Sequence, residues 1–120
     1  MGDGASMIDV LQAGLRATGA RGKVQADNVA NINTPGFRRR AVAFERALAE
    51  AIADGDARKL RELELPVHRP RNTPVGPDGN DVDLDSEIGA MIKNSALRKT
   101  YIRMLTTAYR QAELAMQTQK

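Results

Sequence analysis

Four kinds of side chain in this sequence could do chemistry: a lone histidine, a run of aspartates, a triplet of arginines and scattered hydroxyls. His68 is the only histidine and the chain holds no cysteine, so no second soft ligand exists to share a zinc ion with it. Asp78, Asp81, Asp83 and Asp85 alternate through the stretch PDGNDVDLD. They lack the ordered spacing of a calcium loop and its bidentate glutamate, so turn and helix-cap roles suit them better. Arg38, Arg39 and Arg40, with Arg58, Lys59, Arg61, Arg69 and Arg71, could contact phosphates. Glu45, Glu50, Asp54, Asp56, Glu62 and Glu64 are interleaved with them and aromatic stacking partners are few. A solvated or subunit-facing charged surface is the better reading of that mixture. The serines, threonines and aspartates lack a paired base, so none is assigned as a nucleophile. The expectation is therefore no catalytic, cofactor-binding or metal-binding residue, no enzyme activity, no small-molecule substrate and no nucleic-acid partner. A small helical nucleic-acid-binding protein using the arginine triplet is the rival from another class.

Bulk properties point the same way. A chain of 120 residues is enough for one domain and too short for two ordinary ones. Aromatic residues make up only 3% of it, and the apolar content is mostly Ala, Leu, Ile, Val and Met. That composition favours helix packed on helix over a large globular core. No apolar run is long enough to cross a bilayer. Met1 to Val10 carries Asp3 and Asp9 with no basic cluster and no apolar stretch, unlike a cleavable secretory signal. The net charge of +3 is mild.

The elements follow from periodicity. From Met7 to about Ile32, Ile8, Leu11, Leu15, Val29 and Ile32 fall on one helical seam, with Thr18, Gly22 and Gln25 between them. Such a helix would be about 39 Å long, weakened where Gly14, Gly19 and Gly22 each cost up to about 1 kcal/mol relative to Ala. Alone it should be marginal. From Asp83 or Asp85, either able to cap a first turn, the chain runs to Gln119 without a proline. Ile88, Met91, Ser95, Arg98, Ile102, Leu105, Tyr109, Ala112 and Met116 alternate there in steps of three and four, an a/d heptad pattern. The two long helices are expected to cover one another as an antiparallel coiled-coil-like pair. Between them, Ala41 to Asp54 reads as a short amphipathic helix stopped by Gly55. Leu63, Leu65 and Val67 read as an extended edge, and Pro66 to Asn80 is a turn-rich connector. The predicted fold is mainly α, with a short irregular or small β middle segment. Its parts are 1–37, a helix and turn; 38–80, a variable middle; and 81–120, the heptad helix, together one structural domain.

The first helix ends on VANINTPGF, at Val29 to Phe37. Asn31 and Asn33 tolerate left-handed backbone and compete for hydrogen bonds near a helix end. Pro35 forces Thr34 out of helical geometry and Gly36 permits a positive φ, so Thr34-Pro35-Gly36-Phe37 favours a tight turn. Turn chemistry alone leaves two readings open, a well-made helix stop or an element that contacts neighbouring subunits.

The stretch DNVANINTPGFRRR resembles the N-terminal signature of the axial proteins of the bacterial flagellum, a long helix ending in Ala-Asn-x-x-Thr-Pro-Gly and an aromatic residue. Asn28, Ala30, Asn31, Thr34, Pro35, Gly36 and Phe37 match it position by position. The stretch GNDVDLDSEIGAMIKNSALRKTYIRML resembles the C-terminal region of the flagellar basal-body rod protein family, and within it the proximal, B-type rod subunit more than the C-type. Asn80, Val82, Asp83, Leu84 and Glu87 introduce that region, with Asn94 and Tyr101 following. The resemblance implies a structural subunit of the rod, the drive shaft for flagellum-dependent motility. It implies an assembly seam of Ile8, Leu11, Leu15, Val29, Ile32, Ile88, Met91, Ile102, Leu105, Tyr109 and Met116. It further implies other rod subunits and basal-body ring or adaptor proteins as partners. Export through the flagellar type III apparatus to the periplasmic rod, without a cleaved signal peptide, completes the expectation.

Overall fold

A computed structural model describes residues 4–118. The opening three residues and the expected helix end at Gln119 lie outside the described part. Helix α1 spans Met7–Ala30, strand β1 Ala41–Val42, α2 Glu45–Asp54, α3 Ala57–Arg61, β2 Val67–His68 and α4 Leu84–Thr118.

Helix α1 starts on a capping box. Asp9 N–H donates to Ser6 Oγ at 3.2 Å, and Ser6 N–H donates back to the Asp9 carboxylate at 3.0 Å. Two otherwise orphaned amides are satisfied this way. Helix α4 opens where Glu87 N–H donates to Asp83 O at 2.9 Å, with Ser86 Oγ bonded to the Asp83 carboxylate. Its 35 residues run for about 52 Å at 1.5 Å per residue. The two helices pack antiparallel, with Asn28 of α1 bonded to Glu87 near the start of α4 and Gln12 to Tyr109 toward its end. This is the long-helix pair that the periodicity predicts.

The contact between them is mostly polar and close. Asn94 Nδ2 donates to Thr18 O at 2.9 Å and Arg98 to Leu15 O at 3.2 Å. At Gly14 the Tyr101 ring lies so near that an added Cβ would sit 2.3 Å from it. A glycine in mid-helix, costly for propensity, is therefore what lets α4 approach.

The apolar core lies alongside this contact. Ala13 and Ala17 of α1 pack with Val42, Phe44, Leu48, Ala51 and Leu60, and Leu97 of α4 packs against the same cluster, so the middle segment folds back onto α1 beside α4. The stretch read as a short amphipathic helix supplies Phe44, Leu48 and Ala51 to this core, and α3 adds Leu60. Its small sheet is a single antiparallel pairing of Ala41 with His68 and Val42 with Val67. The strand begins only after Pro66, which has no N–H to give a ladder. Helix α3, absent from the sequence reading, is capped by Asp56, whose carboxylate accepts Arg58 N–H at 2.9 Å. Arg21 ties this layer to α1: it donates to Val42 O at 2.8 Å, pairs with Glu45 at 2.6 Å and lies 4.2 Å from the Phe44 ring centre.

Candidate functional site

The residues with the densest polar contacts gather where α1 ends and α4 begins. Phe37 N–H donates to Thr34 O at 3.2 Å, and Gly36 sits at φ 76°. With Pro35 before it, this is a type II turn. Asn31 works by hydrogen bonding, not by left-handed backbone. Its φ is −102°, its Nδ2 donates to Asp27 O at 2.8 Å and its Oδ1 accepts from Thr34 Oγ1 at 3.0 Å.

The second signature segment grips that turn. Asn80 Nδ2 donates to Asn31 O at 2.8 Å and to Thr34 O at 2.9 Å. Asn80 Oδ1 accepts Val82 N–H, so one amide joins three backbones. Gly36 N–H donates to Asp78 O at 2.8 Å and Asp81 N–H to Phe37 O at 3.3 Å. Gly79 packs directly on Gly36.

Behind the turn lies a buried ionic knot. Arg39 Nε donates to Glu87 Oε1 at 2.6 Å, and Arg39 N–H donates to Asp81 Oδ1 at 2.6 Å. Both carboxylates are almost wholly buried, at 1% exposure. Asn28, fully buried, pairs with the Arg40 backbone as a strand would: Nδ2 donates to Arg40 O at 2.8 Å and Oδ1 accepts Arg40 N–H at 2.9 Å. The same Nδ2 reaches Glu87 Oε1 at 3.2 Å. Arg38 approaches Asp81 at 3.9 Å and Arg40 approaches Asp27 at 3.7 Å. The arginine triplet thus faces specific carboxylates, and Arg39 is turned inward. A charge surface was the expectation from sequence; the counterions that draw these arginines in lie far along the chain, where local spacing does not reveal them. Arg39 was read as part of a charged surface and Asp81 as a turn or cap residue; their buried contact with one another is what sequence reasoning missed.

Of the turn residues, Asn28 is buried, Asn31 and Phe37 are half-buried, and Ala30, Thr34, Pro35 and Gly36 are exposed. Among the seam residues Leu11 is buried, while Ile8, Leu15, Val29, Ile32, Met91 and Leu105 are half-buried. Ile88, Ile102, Tyr109 and Met116 are 44%, 44%, 48% and 72% exposed. The stripe of α4 that meets α1 runs through Glu87, Met91, Asn94, Arg98, Tyr101, Leu105 and Tyr109, so it shares Met91, Leu105 and Tyr109 with the expected seam. The heptad line of largest apolar side chains points partly away from α1, because the glycine-rich face of α1 accepts a tyrosine ring and hydrogen-bonding amides.

Among the described residues no group of three His, Cys, Asp or Glu side chains converges on one point. No helix there is long and apolar enough to cross a membrane. A thin helix pair, braced by a polar lock at one end and apolar on its outer face, defines a helical subunit of an assembly. Residues 8–38 match the family described as Flagella basal body rod protein. The flagellar basal body rod protein FlgB of Borrelia hermsii is 32% identical over an alignment covering 75% of this chain and 80% of that one. FlgB of Borreliella burgdorferi is 28% identical, covering 81% and 85%, and FlgB of Aeromonas hydrophila is 27% identical, covering 82% and 83%. This chain belongs to the flagellar basal body rod proteins, and it is a structural component of the flagellar rod.

Proposed function

We propose that the chain builds the rod by self-assembly, using the Asn28–Phe37 turn and the outer stripe of α4 as contact surfaces. The observation that supports this is shape joined to exposure. The molecule measures 67 × 29 × 16 Å, and Ile88, Ile92, Ile102 and Met116 lie uncovered along its longest helix. A row of large apolar side chains on so thin a body calls for a neighbour. The turn, in this reading, presents exposed Thr34, Pro35 and Gly36 at a fixed angle while Asn80 and Glu87 hold it from behind. The partners are other rod subunits and the ring or adaptor proteins around the rod. The parts around α1 and α4 form the axial pair, and the middle segment, 38–80, braces α1 beside α4. The chain travels to the periplasm through the flagellar type III export apparatus without a cleaved signal peptide, and its role is mechanical, with no catalysis and no cofactor.

The test is deletion of the chromosomal copy, complementation with a tagged chain and purification of intact basal bodies. The tagged chain should copurify with the rod, and the deletion should leave basal bodies without a complete rod. Motile cells with complete rods after deletion would refute the proposal.

A further inference from the structure

The first turns of α4 carry an aliphatic ridge. Leu84, Ile88 and Ile92 stand four residues apart on one face of the helix and are 42%, 44% and 65% exposed. Asp85 lies beside them, exposed and without a partner among the described residues. Toward the other end of the helix pair, a groove of about 340 Å³ opens between the start of α1 and the second half of α4. Buried Leu11 is its floor, Met7, Met104 and Ala108 its apolar walls, and Arg103 stands on its rim. Met7 and Met104 are exposed, and flexible thioether side chains adapt to whatever apolar group enters between them. Ridge and groove cannot meet within one chain. Ile88 and Met104 are about 24 Å apart along the axis of α4 and about 160° apart around it.

We infer that the ridge of one copy seats in the groove of a second copy of this chain, joining subunits head to tail. The inference rests on the rod reading above and names the two surfaces that meet. Charge selects the occupant. From Leu84 to Ile92, α4 carries Asp85 and Glu87 and no cation; from Lys93 to Ala112 it carries Lys93, Arg98, Lys99, Arg103 and Arg110 and no acid. Glu87 is spent on Arg39, which leaves Asp85 as the charge that flanks the ridge. Arg103 and Arg110, beside the groove, are exposed and without partners among the described residues. An acid-flanked ridge therefore matches a groove with a cationic rim, and Asp85 of one copy faces Arg103 of its neighbour. That rim pair fixes register more than it adds affinity, while the driving force is burial of the aliphatic side chains. Because ridge and groove are different surfaces, the contact is heterologous. Repeated, it builds a ring or an open helical array instead of a closed two-fold dimer.

The chain has no cysteine, so a pair is introduced without background. Basal bodies are purified from cells whose sole copy is Ile88→Cys/Met104→Cys, oxidised, and run on a non-reducing gel. A disulfide needs Cα atoms within about 7 Å, so these two positions cannot be bridged inside one chain. The double variant should give a ladder of linked copies, with mass spectrometry placing the bond between positions 88 and 104. Each single variant should stay monomeric. The rim is tested by charge. Losing one rim charge is tolerated, but Arg103→Glu sets two carboxylates face to face and should lower rod counts at least tenfold, with the circular dichroism of the purified chain unchanged. Adding Asp85→Lys to it should restore most of the rods. Basal bodies that contain the double-cysteine chain but give no ladder would overturn the inference. So would a bond from either position to a different rod protein, a single variant that links to itself, or a charge swap that rescues nothing. Basal bodies lacking the wild-type chain altogether would remove the rod reading itself, and this contact with it.

Discussion

Gly14 and Tyr101 decide how closely the two long helices approach. Alanine at position 14 would gain up to about 1 kcal/mol in helix propensity, yet its Cβ would meet the Tyr101 ring at 2.3 Å. Overpacking of that kind costs about 1–3 kcal/mol, so the clash wins. Gly14→Ala should destabilise the chain by about 1 kcal/mol in urea unfolding. In a Tyr101→Ala background the same change should become stabilising, and additive effects in that cycle would mean the ring does not set the spacing. Glu87 is the second decisive residue. Removing its carboxylate strands the inward-turned Arg39 and leaves Asn28 Nδ2 one partner short. Breaking a buried pair from one side costs about 3–5 kcal/mol, so Glu87→Ala should unfold at markedly lower urea. Glu87→Gln keeps an acceptor for both donors and should lose much less. A third residue prediction concerns the turn: at φ 76°, Gly36→Val should cost about 1–3 kcal/mol, measured by the same unfolding curve.

Elements add the attachment of the middle segment to α1. The hydrogen bond from Arg21 is the main reason the Glu45 carboxyl titrates below its ordinary value, with burial working the other way. A depressed carboxylate stabilises the fold above its unfolded pKa of 4.5, and that stability is lost as pH falls through the lowered folded value. The Asp9 carboxyl, held down chiefly by the Ser6 backbone N–H, follows the same sign below 3.8. Melting temperature should therefore fall on acidification from pH 4.5 downward, and Glu45→Gln should flatten the first part of that limb. An unchanged limb would mean that Arg21 and Glu45 do not anchor β1 and α2. Both long helices were legible in the sequence because their periods and the TPG stop are local signals. The core was not. Phe44, Leu48 and Ala51 showed as one face of a short helix, but their partners Ala13, Ala17 and Leu60 are brought to them by a chain reversal that no local pattern encodes. The polar lock was half legible: its turn could be read from Pro35 and Gly36, but Arg39 meets Glu87 across 48 positions. Ser6 and Asp9 were a readable cap that the helix periodicity overshadowed.

At the scale of the whole molecule, α4 serves two surfaces with one helix. One stripe, through Asn94, Tyr101, Leu105 and Tyr109, meets α1, while Ile102 and Met116 look outward. The two stripes should separate by mutation. Ile102 is 44% exposed in the single chain, so Ile102→Asp removes little that folding has gained and should shift its stability by about 0.5 kcal/mol. In the rod the same carboxylate would stand in an apolar contact, where burial without a partner is expensive and the assembly meets it at every copy. Arg103, exposed and one position along, provides the control, since Arg103→Ala alters the surface without adding a buried charge. Each variant would be expressed in a strain lacking the native copy, with the melting temperature of the purified chain measured beside the number of complete basal bodies seen by electron microscopy. Ile102→Asp should melt like the wild type and build few or no rods, whereas Arg103→Ala should do both normally. Equal rod counts for the two would show that the outward stripe of α4 is not where neighbouring subunits meet.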